Sequence, residues 1–107
     1  MNAFEALSDP TRRRIVEMLA RAALPAGEIA NHFEISPSAI SQHLKILKGA
    51  QLVRARVAAQ QRIYELDATG LIEIDRWLDS IGPIWKQRLE AIERQRRLES
   101  GAGSTLR

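Results

Sequence analysis

Ser38, Ser41, Gln42 and Lys45 recur at spacings of three and four, so on an α-helix they share one face. Two hydroxyls, a carboxamide and an ammonium group are the donors and acceptors that reach base edges and phosphates when a helix lies in the major groove of DNA. Catalytic chemistry finds little support. The chain contains no cysteine, no Gly-rich phosphate loop and no grouping of serine, histidine and acid, and Ser41 and His43, two apart, face different sides of a helix. The sequence therefore excludes disulfides and thiol chemistry and is not read as an enzyme.

The local signals for that helix are strong. Ser36 can cap its N-terminus with a hydroxyl, and Pro37 then occupies the first helical position, where its fixed φ suits the helix and its missing N–H costs nothing. Ile40, Leu44 and Leu47 follow at i, i+4 and i+7 and put one apolar stripe against a core. The charge pattern agrees with an anionic partner. Between Glu34 and Glu65 there is no carboxylate, only the cations Lys45, Lys48, Arg54, Arg56 and Arg62, in a chain that holds 13 Asp and Glu and a net charge of +3. Base reading falls to Ser38, Ser41 and Gln42, and backbone contact to Ser36, Lys45, Lys48, Arg54, Arg56 and Arg62, with double-stranded DNA as the partner.

The chain of 107 residues fits one domain, small enough for an oligomer to add stability. No apolar run approaches the ~20 residues of a membrane span and the N-terminus lacks a signal pattern, so no membrane association and a cytoplasmic, nucleoid-associated location are expected. Asn2 to Leu7 carries Phe4 and Leu7 one turn apart. Asp9-Pro10 repeats the cap-then-proline signal, and Ile15, Met18 and Leu19 continue a helix to about Ala22. Arg12, Arg13 and Arg14 crowd its first turn, the unfavourable end of the helix dipole for cations. Either a nearby phosphate or pairing with Glu5, Asp9 or Glu17 would resolve that conflict. Pro25 to Gly27 breaks the chain, Glu28 to Phe33 predicts a second helix, and a turn of Glu34 to Ser36 leads into the polar-faced one, which makes a helix-turn-helix.

From Val53 the period becomes two. Val53, Ala55 and Val57 alternate with Arg54 and Arg56, and Ile63, Tyr64 and Leu66 close the run, predicting two antiparallel strands of about five residues each. A hairpin after a reading helix is a wing whose arginines can face a minor groove or its phosphates, or else protect a strand edge. The last third is helical, with Asp67 as a cap and Leu71, Ile74, Leu78, Ile81 and Trp85 on one stripe that Trp77, Ile84, Leu89 and Ile92 widen. Gly82-Pro83 predicts a kinked helix or two helices meeting there. So broad an apolar surface needs cover, and Phe4, Leu7, Leu71, Ile74, Trp77, Leu78, Ile81, Trp85 and Leu89 are assigned to contact with a second copy of the chain. The expected fold is mainly α with a β-hairpin: a winged helix-turn-helix over residues 1–98, with dimerisation helices at both ends including a long C-terminal helix or helix pair, and a disordered tail over 99–107.

Four stretches carry a resemblance: Ala-Leu-Ser-Asp-Pro-Thr-Arg-Arg-Arg-Ile-Val at 6–16, Ala-Gly-Glu-Ile-Ala at 26–30, Ser-Pro-Ser-Ala-Ile-Ser-Gln-His-Leu-Lys-Ile-Leu at 36–47 and Leu-Val-Arg-Ala-Arg at 52–56. Together they resemble the ArsR/SmtB family of bacterial transcriptional repressors, over residues 2–68. The resemblance implies a homodimeric winged helix-turn-helix that binds a near-palindromic operator and often represses its own promoter. It also implies that the positions matching Ser38, Ser41, Gln42 and His43 lie at or near the DNA. Many relatives sense metals through cysteines on the reading helix or through Asp and His on the last helix. Here cysteine is absent and His32 and His43 are the only imidazoles, so no metal site and no cofactor are expected. The wing loop Ala58-Ala59-Gln60-Gln61 stands where relatives often carry Gly and Arg, and Pro25 where they commonly have a Ser or Thr cap. The ending Trp77-Leu78 and Trp85 to Leu89 looks like the metal-independent branch. Two alternatives stay open: a repressor released by a small organic ligand or fatty acid held between the long helices beside Trp77 and Trp85, its inducer unknown, and a protein-interaction module with secondary DNA binding.

Overall fold

The computed structural model describes residues 1–105, with side chains through residue 100. Five helices and three strands follow in the order α1 (Ala3–Ala6), α2 (Pro10–Arg21), β1 (Leu24–Pro25), α3 (Ala26–Ala30), α4 (Pro37–Gly49), β2 (Val53–Ala58), β3 (Gln61–Leu66) and α5 (Ala68–Thr105). The chain forms two compact units, Met1–Ile74 and the remainder from Asp75.

Both cap-then-proline signals begin helices where expected. The Asp9 carboxylate accepts the Arg12 backbone N–H at 3.0 Å to start α2, and the Ser36 hydroxyl accepts the Ala39 N–H at 3.1 Å to start α4. Helix α1 is held by a reciprocal capping box between Asn2 and Glu5. It buries Ala3 and Ala6 while Phe4 is 39% exposed. The first unit closes on Ile15, Leu19, Ile29, Ile40, Leu44, Leu47, Leu52 and Val53, each at most 4% exposed. Leu71 and Ile74, assigned from the sequence to contact with a second copy, pack against this core of their own chain.

Three boundaries differ from expectation. Helix α3 spans Ala26–Ala30 instead of Glu28 to Phe33: it starts directly after Pro25 with no side-chain cap. Past Ala30 the bonds shorten to i→i−3 steps, His32 to Ile29 and Phe33 to Ala30, so the turn into α4 is longer than Glu34 to Ser36. The hairpin is joined by a third strand, because Leu24 and Pro25 pair antiparallel with Tyr64 and Ile63 and the sheet order is β1-β3-β2. Pro25 donates no N–H, yet it can sit on an edge strand. Of the two outcomes expected at Gly82-Pro83, the structure has the single helix, which runs through Pro83. Proline there removes the single bond to the Asp79 carbonyl, and the intact turns on either side carry the ladder across. The same helix runs past Glu99 to Thr105, where a disordered tail was expected; Leu106 and Arg107 lie outside the described residues.

Helix α4 and α5 are joined closely. Gln51 takes a left-handed conformation, φ 60°. Leu52 N–H then bonds back to Leu47 O at 3.0 Å and Gln51 N–H to Lys48 O at 3.1 Å, closing α4 in a Schellman turn. The Asp67 carboxylate caps α5 through the Thr69 N–H at 2.9 Å. Gly70 N–H reaches Gln51 O at 2.8 Å. A Cβ on Gly70 would lie 2.6 Å from that same oxygen and 2.8 Å from Ala50 O, so only glycine lets the backbones approach this closely.

Beyond Ile74 the helix keeps its apolar residues in view. Trp77 is 50% exposed, Leu78 44%, Ile84 69%, Trp85 45%, Leu89 39% and Ile92 52%. Among the described residues no helix is long and apolar enough to cross a membrane.

Candidate nucleic-acid interface

Helix α4 divides cleanly by face. Ile40, Leu44 and Leu47 are at most 1% exposed, and burying side chains of this kind stabilises by about 1.5–3 kcal/mol each. Ser38, Ser41, Gln42, Lys45 and Lys48 lie exposed on the other side. Lys48 sits in the last turn, where the dipole favours a cation. The first turn holds no acid, so the N-terminal end of the exposed face presents N–H groups and hydroxyls without a competing carboxylate.

His43 is not part of this face. It is half-buried, and its Nδ1 lies 3.4 Å from Arg12 Nη1 and 3.8 Å from Asp9 Oδ2. At 100° per residue His43 points well away from Ser38 and Gln42, toward α2, off the face those residues share. The three arginines of α2 bond instead to main-chain carbonyls of neighbouring turns. Arg12 Nε donates to Ala6 O at 2.6 Å and Arg13 Nη1 to Leu7 O at 2.7 Å. Arg14 reaches His32 O at 3.5 Å and lies 4.6 Å from the Phe33 ring centre. Cations crowding the positive end of α2 are thus offset by carbonyls at the C-terminal ends of α1 and of the α3 turn. The Asp9 carboxyl is held below its ordinary value, first by the Arg12 backbone N–H and, against some desolvation, by the neighbouring His43 and Arg12.

The wing splits its cations between two faces. Arg54 and Arg56 share a face with Glu65, whose carboxylate takes Arg54 Nε at 3.1 Å and Arg56 Nε at 3.6 Å. Charges that look uncompensated along the chain are met by the first acid beyond the run, across the ladder. Arg62 pairs with Val57 on the opposite face and makes no ion pair among the described residues. It borders an open cleft of about 440 Å³ with Pro25, Gly27, Glu28 and Asn31. Val57 is 75% exposed, and the turn that follows puts Ala59 at φ 57°.

The sequence profile of bacterial regulatory proteins of the arsR family matches residues 9–55, which covers α2 through the start of the wing. An HTH-type transcriptional regulator of Mycobacterium tuberculosis, Rv2034, is 51% identical over 77 residues, 72% of either chain. The chain belongs to the ArsR family. The transcriptional repressor SdpR of Bacillus subtilis is 43% identical over 77 residues, 72% of this chain and 86% of that one. Among solved structures, an ArsR-like transcriptional regulator from Rhodococcus sp. RHA1 superposes with a TM-score of 0.65 at 35% identity, covering 85% of this chain and 86% of the other. This ArsR-family chain is a DNA-binding regulator of transcription with a winged helix-turn-helix fold, in a family of regulators and not of enzymes.

Sequence reasoning singled out Arg12 without its partners, and missed Glu65 and Gly70. The partners of Arg12 and the pairing of Glu65 lie across the fold and leave no local signal. Gly70, three residues past the cap Asp67 and inside a helical pattern, is a position where glycine costs stability unless a close approach demands it, which was a usable signal.

Proposed function

We propose that the chain acts as a homodimeric repressor that binds an inverted-repeat operator, including one upstream of its own gene. The carrying observation is the division of α4: a fully buried apolar face opposite an exposed, carboxylate-free face of Ser38, Ser41, Gln42 and Lys45. Ser38, Ser41 and Gln42 discriminate bases, while Ser36, Lys45, Lys48 and Arg62 contact phosphates, with Arg54 and Arg56 contributing charge already shared with Glu65. The exposed Leu78, Ile84, Trp85, Leu89 and Ile92 favour a second copy as their cover. A two-fold dimer presents its reading helices about 34 Å apart, one DNA turn, which calls for an inverted repeat. Such a regulator works in the compartment that holds the DNA.

Titration of the protein by fluorescence anisotropy against its own upstream DNA and a scrambled duplex, at two salt concentrations, tests this reading. The expected result is a preference of ~10³ or more with two chains per site; equal, salt-sensitive affinity for both duplexes overturns it. In the same assay Gln42→Ala should cut the preference about tenfold or more. Lys48→Ala should weaken both duplexes alike and lower the salt slope by about 1.

A further inference from the structure

Arg12 is the one buried charged side chain among the described residues, and it bonds to two other helices at once. Its Nε donates to the last carbonyl of α1, Ala6 O, at 2.6 Å, and its Nη1 lies 3.4 Å from His43 Nδ1 in the middle of α4. A guanidinium has no acceptor, so the bond to His43 exists only with Nδ1 unprotonated and the imidazole proton on Nε2. Asp9 Oδ2, 3.8 Å from the same Nδ1, is likewise an acceptor and offers that nitrogen no hydrogen bond in this state. Asp9 and Arg12 are the charged groups that reach His43 from α2 and its cap.

His43 immediately follows Gln42, so anything that fixes the His43 azimuth also fixes where the Gln42 carboxamide points. At an outer helix radius of about 5–6 Å, a 20° rotation of α4 would carry that group by about 2 Å, more than a hydrogen bond to a base edge tolerates. The apolar stripe limits rolling through packing, but Ile and Leu contacts carry no preferred direction; the bond from Arg12 does.

We propose that Arg12 and His43 form a positioning pair that sets the rotation of α4, so that operator discrimination depends on two side chains that touch no base. The proposal rests on the reading of α4 given above.

The test measures the ratio of affinities for upstream and scrambled duplex, together with the salt slope, for Arg12→Lys, His43→Leu, His43→Asn and the double variant Arg12→Lys/His43→Leu. Thermal unfolding followed by circular dichroism accompanies each, and the two His43 variants decide the matter should Arg12→Lys fail to fold. Arg12→Lys and His43→Leu should each lower the ratio about tenfold with the salt slope unchanged. His43→Asn, whose Oδ1 can take the place of Nδ1 as acceptor, should restore most of it. The double variant should fare no worse than the worse single one, since both break the same bond. An unchanged ratio in both Arg12→Lys and His43→Leu overturns the proposal. So does a loss in His43→Asn equal to that in His43→Leu, because an acceptor restored beside Arg12 would then restore nothing. Wild-type protein without any preference overturns the reading of α4 and this proposal together, whereas wild-type preference with indifferent variants overturns the proposal alone.

Discussion

Helices α4 and α5 begin alike and end differently. Each is capped by a short polar side chain, Ser36 or Asp67, and each carries isoleucine and leucine at helical spacing. In α4 the apolar residues Ile40, Leu44 and Leu47 are at most 1% exposed, while in α5 Leu78, Trp85 and Leu89 are 39–45% exposed. Periodicity identifies which face of a helix is apolar, but the neighbour that covers it is set by the rest of the fold or by another molecule. The turning point is Ile74: Leu71 and Ile74 pack on the chain's own core, and the residues after them do not contribute to it.

The contrast predicts two kinds of stability loss. Leu44→Ala should cost about 2–5 kcal/mol in urea unfolding, because a fully enclosed side chain leaves a cavity, and the loss should be the same at every protein concentration. Trp85→Ala should cost about 2 kcal/mol or more of association, seen by sedimentation equilibrium as a weaker dimer, and should barely change the unfolding of the dilute protein. If the Trp85 variant destabilises dilute protein as much as Leu44→Ala does, α5 is covered from within its own chain and the contrast is lost. At the joint between the helices, Gln51→Gly should stabilise by about 0.5–1 kcal/mol, since Gln51 holds a left-handed conformation that glycine adopts freely. A destabilised variant in a thermal melt would show that the Gln51 side chain supplies something its backbone conformation does not.

The smallest effect concerns the caps. Asp67 and Asp9 both have carboxyls lowered below the ordinary aspartate value of about 3.9, Asp67 first through the Thr69 backbone N–H and then its hydroxyl. A depressed folded-state value favours the charged form, so the stabilisation is complete above pH ~4 and fades as pH falls through the folded values. Asp67→Asn and Asp9→Asn should each flatten the acid limb of stability measured between about pH 5 and 2, with little change near neutrality relative to their own baselines. An acid limb that keeps its slope in both variants would place the acid sensitivity in other carboxylates.

Much of the first unit was legible because its signals are local. Ser36-Pro37 and Asp9-Pro10 each place a cap and a pre-organised φ side by side, and Val53 to Val57 alternates without help from afar. The face of α4 also followed from spacing, and Ser38, Ser41 and Gln42 stand exposed as expected. What escaped was tertiary. The resemblance places His43 at or near the DNA, and nothing near it in sequence reveals that Arg12, 31 residues earlier, lies beside its ring. Arg54 and Arg56 looked unopposed until Glu65 came opposite Arg54 in the ladder. The two-residue strand Leu24–Pro25 is too short for any period to announce it.

The joint at Gln51 and Gly70 bears on how such a regulator can be taken apart. Domain shuffling, by evolution or by design, tends to cut at helix starts, and here that would be Asp67. A cut at that point separates Asp67 N–H from Leu52 O, at 2.9 Å, and Gly70 N–H from Gln51 O, at 2.8 Å. It also hands the α4 end a foreign helix whose third residue would need to be glycine to fit against the Ala50 and Gln51 carbonyls. The transplantable reading module therefore includes the first two turns of α5, and chimeras fused after Ile74 should accept new C-terminal helices that chimeras fused at Asp67 reject.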